Sequence, residues 1–119
     1  SIAHKIGDKT QRHGFDWTSV EEVLAKLDEE VQELKEALKT QNQKDIEHEI
    51  GDVLFSTAQI ARHLQLDAET ALRKTNLRFE QRYFLMRDLA EKDTLNWENM
   101  TLNQKEEYWE KAKTCLKYL

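Results

Sequence analysis

The sequence lacks proline and contains only three glycines and one cysteine in 119 residues. With so few residues that interrupt helices, we expect mostly long helices. The single Cys115 excludes a disulfide within the chain and a metal site built from cysteines, as is usual in a reducing cytoplasm. No apolar run approaches the roughly 18–20 residues of a membrane span, and the N-terminus lacks the apolar core of a signal peptide. We therefore expect a cytoplasmic protein without a membrane partner.

The charge balance also limits the function. A formal net charge of −5 argues against a protein that coats nucleic acid, whose surface would be basic. The length suits one domain with a modest core, so we expect a single domain over residues 1–119. The chain opens on Ser1 without an initiator methionine, which is also compatible with a domain excised from a longer protein.

Apolar residues recur with helical spacing in four segments, and no segment alternates as a strand does, which predicts an all-α fold. The first strong helix carries a stripe from Val20 to Leu38 and follows Thr18 and Glu21, which have the spacing of a capping box. The other expected helices cover about residues 44–64, about 68–91 after Asp67 as N-cap, and a segment after Thr101 with Gln104 as capping box. A helical turn or two ending at Gly14 precedes them all.

The second long helix has an apolar arc too broad for a helix packed on one side. We expect it to be central, or buried at a subunit interface. Gly51 within this helix would permit another backbone to approach closely.

Two acidic pairs are spaced i, i+3 on these first two long helices: Glu30 with Glu33, and Glu49 with Asp52. Residues three apart share one helix face, so antiparallel packing would let the pairs meet around a hard cation such as Mg²⁺. Glu30 lies at the edge of the apolar stripe, whereas Glu29 points toward solvent. A single exposed pair is usually only a solvated surface; two pairs beside apolar stripes favour a metal site, because like charges there would repel.

Three cations follow one another at i, i+4 and i+8 on the third long helix: Lys74, Arg78 and Arg82. They would pair with acids such as Glu80 and Asp88, or bind phosphate, which suits arginine forks. Together with the acidic pairs they describe a site for a polyphosphate.

The remaining polar candidates are less specific. Asn76 falls within an apolar arc and would need a hydrogen-bond partner. Trp109 and Lys113, one turn apart, form a packing pair or else offer a base-stacking ring with a phosphate contact. Asp45 and His48 have the spacing of a di-iron motif, but it occurs once and faces away from the acidic pairs, so we discount it.

The combined motifs resemble the MazG-type nucleoside triphosphate pyrophosphohydrolases of the all-α NTP pyrophosphatase superfamily, most closely the C-terminal repeat of the long bacterial form. The resemblance covers nearly the whole chain. The matching segments are Lys9-x-x-Arg12-x-Gly14-Phe15-Asp16-Trp17, Glu29-Glu30-x-x-Glu33, Glu49-Ile-Gly-Asp52-Val53-Leu54-Phe55, Ala61-Arg62-His63-Leu64, Lys74-x-Asn76-x-Arg78-Phe79-x-x-Arg82 and Trp109-x-x-x-Lys113. One departure is Arg78, where the long form usually has lysine.

The resemblance implies a four-helix-bundle-like fold, an intertwined homodimer, and hydrolysis of nucleoside triphosphates at the α-phosphate to monophosphate and pyrophosphate. It assigns Mg²⁺, or Mn²⁺ in its place, to the catalytic residues Glu30, Glu33, Glu49 and Asp52. It assigns the substrate to Lys74, Asn76, Arg78, Arg82, Trp109 and Lys113, the last two in contact with base or phosphate.

Three functions therefore remain open. The first is a pyrophosphohydrolase with broad base tolerance. The second is a relative restricted to dUTP and dCTP or to phosphoribosyl-ATP. The third is a helical interaction module whose acids are surface charge.

Overall fold

The computed structural model describes residues 1–116, and every regular element among them is helical, which confirms the all-α prediction. The helices are α1 (Ile2–Arg12), α2 (Val20–Thr40), α3 (Gln43–His63), α4 (Ala68–Lys92) and α5 (Leu102–Cys115), with a 3₁₀ turn at Trp97–Asn99. No helix in this described part is long and apolar enough to cross a membrane.

Side chains cap the helices close to the predicted positions, with one correction. The N-cap of α2 is Ser19, whose hydroxyl accepts from the Glu22 N–H, and not Thr18. Thr18 instead donates its N–H (3.0 Å) and its hydroxyl (2.7 Å) to the Glu22 carboxylate, which moves the start of the helix one residue on. The Thr101–Gln104 capping box of α5 is confirmed, and Asp67 accepts from Thr70 before α4 as an N-cap should.

The polar break between α2 and α3 is a tight reversal. Gln41 adopts a left-handed conformation (φ 56°) and ends α2, and the Asn42 side chain then accepts from Lys44 and Asp45 to begin α3. This reversal lets α3 pack back along α2.

The chain divides into two compact units, residues 1–71 and 72–119. In the first unit α3 packs on both α2 and α1. Val23 and Ala37 are its buried apolar residues on α2, and the buried residues of α3 are polar: Ser56, Gln59 and Arg62. The single domain over 1–119 stays a prediction.

Part of the broad apolar arc of α3 remains uncovered within the chain. Ile50, Leu54 and Leu64 are 45%, 65% and 52% exposed. Helix α3 packs on both α1 and α2 within the first unit, but these contacts leave part of its apolar arc exposed, and burial of that part at a subunit interface stays a prediction.

In the second unit the C-terminal half of α4 packs with α5 and the 3₁₀ turn. The buried cluster comprises Met86, Ala90, Met100, Tyr108 and Ala112, with Tyr83 and Trp97 partly buried against it. The predicted stripe of α4 is thus confirmed at Tyr83 and Met86, whereas residues 71–81, including Leu72 and Phe79, are all exposed.

Candidate metal centre

Helices α2 and α3 bring the two acidic pairs together. One carboxylate oxygen from each of Glu30, Glu33, Glu49 and Asp52 lies within 4.8 Å of the other three. Each helix contributes two acids from adjacent turns, and antiparallel packing brings the two faces into register. The arrangement offers several carboxylate oxygens to one point, as a hard divalent cation requires.

Burial distinguishes this cluster from ordinary surface acids. Glu30 is 5% exposed, and its Oε2 atom is buried with no hydrogen-bond partner in the described part of the chain. The Oε2 atom of Glu49 is likewise buried without a hydrogen-bond partner among the described residues. A buried carboxylate oxygen without a partner is costly, and a bound cation would remove that cost. The donor set therefore fits a divalent metal.

Mutual repulsion is evident at the exposed member of the cluster. The Glu30 carboxylate beside it, with Glu49 adding to the effect, raises the pKa of Glu33 above its usual range. Like charges held this close disfavour the ionised form unless a cation is present.

Lys26 and His48 contact the acidic cluster, and neither contact was predicted from the sequence. Lys26 Nζ lies 3.1 Å from Oε1 of Glu30 and 3.4 Å from Glu29, so the exposed Glu29 holds a counter-ion of the cluster. His48 Nε2 lies 3.2 Å from Oδ2 of Asp52, so the expectation that His48 faces away from the acids is wrong. The contacts of Lys26 with Glu30 and of His48 with Asp52 have i, i+4 spacing, and that of Lys26 with Glu29 has i, i+3 spacing. This spacing is the sequence signal that could have predicted them.

The predicted phosphate-binding cations, Lys74, Arg78 and Arg82, lie on the part of α4 that belongs to the second unit. Arg78 donates to the Thr75 hydroxyl at 2.9 Å, and the Arg82 guanidinium lies 5.9 Å from the Trp109 ring centroid. Within residues 1–116, no acid lies within salt-bridge distance of Lys74, Arg78 or Arg82, so the alternative pairing with nearby acids is not seen.

The other substrate-binding candidates are on the surface or partly packed. Asn76 is exposed, so the expectation that it needs a buried hydrogen-bond partner is wrong; the arc around it is not covered within the chain. Trp109 is half-buried and packs on Phe79 with 5.0 Å between ring centroids, which supports its packing role. Lys113 is exposed one turn later.

A second polar cluster joins the segment before α2 to the end of α3. Arg62, 8% exposed, donates to Asp16 at 2.6 Å and to Gln59 at 2.7 Å, and His63 Nε2 lies 3.1 Å from the same Asp16 oxygen. The Arg62 hydrogen bond holds the pKa of Asp16 below its usual range. Helical periodicity gave no signal for the contacts of Asp16, because Arg62 and His63 lie 46 and 47 residues from it in the sequence.

Comparison with known proteins matches residues 18–84 to the MazG nucleotide pyrophosphohydrolase domain. The nucleoside triphosphate pyrophosphohydrolase/pyrophosphatase MazG of Thermotoga maritima is 42% identical over 113 residues, which are 95% of this chain and 43% of that protein. The nucleoside triphosphate pyrophosphohydrolase of Escherichia coli K12 is 36% identical over 115 residues, 93% of this chain and 43% of that protein. The chain thus spans less than half the length of these relatives.

Proposed function

Because the chain belongs to the MazG nucleotide pyrophosphohydrolase domain family, we propose that it hydrolyses nucleoside triphosphates to nucleoside monophosphates and pyrophosphate. The observation that carries the proposal is the four-carboxylate cluster with its buried, unpartnered Glu30 oxygen. A surface charge patch would leave these oxygens in water, whereas a cation site accounts for both their convergence and their burial.

Glu30, Glu33, Glu49 and Asp52 would hold the metal. All four donors are carboxylates, the ligands that Mg²⁺ prefers, and Mn²⁺ would be accepted by the same set. When bound, the metal supplies Lewis-acid polarisation of the α-phosphate and an activated water.

The basic residues of α4 would bind the triphosphate. The guanidinium groups of Arg78 and Arg82 provide paired donors for phosphate oxygens, and Lys74 adds a point charge. Asn76 is exposed and offers both donors and acceptors. Trp109 and Lys113, from this chain or a partner copy, would contact base or phosphate.

Broad base tolerance is part of this proposal. The alternatives are the narrow substrates dUTP and dCTP or phosphoribosyl-ATP, and a non-catalytic helical module. The last alternative stays open because the chain covers only 43% of the length of these relatives.

Pyrophosphate release tests the activity directly. The purified chain is incubated with canonical, deoxy and oxidised nucleoside triphosphates, with and without Mg²⁺. We expect pyrophosphate release only with Mg²⁺. Glu49→Gln should lower the activity at least about 100-fold, because even residues that only orient the ligands of a metal typically cost about 10- to 100-fold when they are changed. Glu47→Gln, an exposed glutamate on the same helix outside the cluster, is the matched control and should retain the activity.

A single accepted substrate would favour the narrow alternative. Absence of pyrophosphate from every substrate, or full activity of Glu49→Gln, would overturn the proposal.

Metal binding can be measured without turnover. A ligand of the native state raises stability, by about 2.7 kcal/mol at 100 times its Kd. We expect Mg²⁺ to raise the Tm of the wild-type chain and not that of Glu30→Gln, and the non-catalytic alternative predicts an unchanged Tm in both.

A further inference from the structure

One hydrogen bond joins the end of α4 to α5 in the second unit. The Tyr108 hydroxyl donates to Oδ2 of Asp93 at 2.5 Å, and Asp93 directly follows the last residue of α4. Tyr108 is 7% exposed and belongs to the buried cluster of this unit, whereas Asp93 is exposed. Because the two residues are 15 positions apart, their bond fixes α5 relative to the end of α4 and not a turn within either helix.

The direction of this hydrogen bond is fixed near neutral pH. The bond to Asp93 raises the pKa of Tyr108 above its usual range, and desolvation of the hydroxyl raises it further. The phenol therefore keeps its proton and donates, and the Asp93 carboxylate accepts. Replacing Tyr108 by phenylalanine would keep the buried ring and remove only this bond.

Trp109, the next residue of α5, is one of the proposed substrate-binding residues. Its ring packs on Phe79 with 5.0 Å between the centroids, and the Arg82 guanidinium lies 5.9 Å from its centroid. Lys113 follows four positions later, so it lies on the same face of the helix as Trp109. Neighbouring residues of a helix point about 100° apart, so this face is adjacent to the buried face that carries Tyr108.

The rotation of α5 about its axis decides where the face with Trp109 and Lys113 points. On the buried side, Ala112 is fully buried one turn after Tyr108, but apolar contacts have no preferred direction. The hydrogen bond to Asp93 does have one, and it weakens steeply when its angle changes. A rotation of about 15° would move groups about 6 Å from the axis by roughly 1.5 Å. Displacements of about 1 Å already impair a group that positions a substrate.

We propose that Tyr108 and Asp93 are positioning residues, whose hydrogen bond fixes the rotation of α5 that presents Trp109 and Lys113 to a nucleoside triphosphate. Neither member of the pair contacts the substrate. The inference rests on the proposed function, because it takes Trp109 and Lys113 as substrate contacts. Losing the bond should therefore weaken substrate binding and leave the metal-dependent chemical step nearly unchanged.

Steady-state pyrophosphate release by the full chain is the first test. Tyr108→Phe should raise KM for nucleoside triphosphates at least about threefold, the order expected for one lost hydrogen bond. Its kcat should change less than about twofold, because the interaction that is lost contributes to substrate binding. Asp93→Ala, at an exposed position where folding is not at risk, should have the same effect. Asp93→Asn keeps an acceptor for the Tyr108 hydroxyl and should retain the wild-type KM.

Two comparisons separate positioning from a general effect on stability. Combining Tyr108→Phe with Asp93→Ala should raise KM no more than either substitution alone, since both remove the same bond. The matched control is Tyr83→Phe, at a tyrosine of α4 that packs against the same cluster and whose hydroxyl forms no hydrogen bond to α5 within residues 1–116. It should leave KM unchanged. A lower kcat with an unchanged KM in Tyr108→Phe, or additive effects in the double variant, contradicts the inference.

Binding without turnover is the second test. The indole N–H signal of Trp109, assigned with Trp109→Phe in the ¹⁵N-labelled full chain, is followed during titration with non-hydrolysable α,β-methylene ATP and Mg²⁺. We expect a saturable shift of this signal in the wild type and in Asp93→Asn with the same Kd. In Tyr108→Phe the Kd should be at least about threefold weaker.

The outcomes distinguish this inference from the proposed function. A chain that releases no pyrophosphate but binds the analogue more weakly as Tyr108→Phe loses the proposed function and keeps the positioning pair. An active chain in which Tyr108→Phe changes neither KM nor Kd loses the positioning pair alone. A Trp109 signal that does not respond to the analogue in the wild type also overturns the inference, because this face of α5 then carries no substrate contact.

Discussion

Glu30 is the residue at which the core of the first unit meets the candidate site. It is 5% exposed, one carboxylate oxygen contacts Lys26 and the other has no hydrogen-bond partner among the described residues. Burying a carboxylate costs several kcal/mol unless its charge is compensated. Lys26 supplies part of that compensation. In return, the hydrogen bond to Glu30 raises the pKa of Lys26 above its usual range. The remainder is available to a cation.

Removing the charge of Lys26 tests whether the buried Glu30 carboxylate depends on this counter-ion. Lys26→Met keeps an apolar stem but leaves Glu30 buried without its counter-ion, so the free energy of unfolding in EDTA should fall by about 1–3 kcal/mol. Mg²⁺ should then raise the Tm of the variant more than that of the wild type.

The matched control is Lys39→Met, which removes a 75% exposed lysine that pairs with Glu36 at 3.7 Å. Such a surface pair contributes about 0–1 kcal/mol, so the control should change little. Equal effects of the two substitutions on urea unfolding would contradict the role of Lys26.

Asp16 makes a pH-dependent contribution to stability. Its pKa in the folded chain is lowered, first by the Arg62 hydrogen bond, so its stabilisation is complete above the ordinary aspartate pKa of about 3.9 and is lost as the pH falls through the folded value. Asp16→Asn should cost about 3 kcal/mol at pH 7, since it leaves the buried Arg62 with only the longer pair to Asp8, at 3.9 Å.

Urea unfolding of both proteins from pH 7 to pH 2 checks this prediction. The difference between wild type and Asp16→Asn should shrink below about pH 4. A difference that stays constant down to pH 2 would show that the carboxylate charge does not stabilise the fold.

At the scale of the elements, two glycines on helices test how α1 and α3 are packed. A Cβ at Gly7 would overlap Oε1 of Gln59 and Nε of Arg62, whereas a Cβ at Gly51 would meet no atom within 4 Å. Gly7 therefore permits the close approach of α1 to the polar side chains of α3. The close approach expected at Gly51 is not seen within the described chain.

Alanine at the two positions should have opposite effects on urea unfolding. Gly7→Ala should destabilise by about 1–3 kcal/mol through overpacking. Gly51→Ala should stabilise by about 0.5–1 kcal/mol, because alanine favours a helix interior over glycine. A destabilising Gly51→Ala would instead indicate that another chain packs there.

The elements also show where periodicity failed. The stripe of α4 predicted a buried face along the whole helix, yet only its C-terminal half is covered. Periodicity reports that a face is apolar; it does not report which neighbour covers it. The same limitation placed Asn76 in a buried arc that the chain leaves exposed.

At the scale of the whole molecule, helices α3 and α4 each expose large apolar residues, which indicates that other surfaces cover them. Leu54 is 65% exposed, and Leu72 and Phe79 are 61% and 58% exposed on α4. Clusters of exposed apolar residues often mark interfaces. The homodimer stays a prediction, and a second copy is the occupant that the family resemblance implies.

Sedimentation equilibrium tests the dimer. The wild-type chain should sediment as a dimer, and Leu54→Glu should shift it toward monomer, because a charge would be buried in the interface. Leu102→Glu, at a 71% exposed leucine on α5, should leave the mass unchanged. A wild-type chain that is monomeric at all concentrations would contradict the prediction.

The helices, most of their caps and the grouping of Glu30 with Glu33 and of Glu49 with Asp52 could be predicted from the sequence, because they depend on interactions between residues no more than four apart. The motifs of the sequence also pointed to the family. Long-range packing places the two pairs within 4.8 Å of each other, leaves one oxygen of Glu30 without a hydrogen-bond partner among the described residues, and brings Phe15, Trp17 and Phe55 to the wall of one cavity. These features join residues distant in the chain, as Arg62 joins Asp16 across 46 positions, and local periodicity carries no information about such contacts.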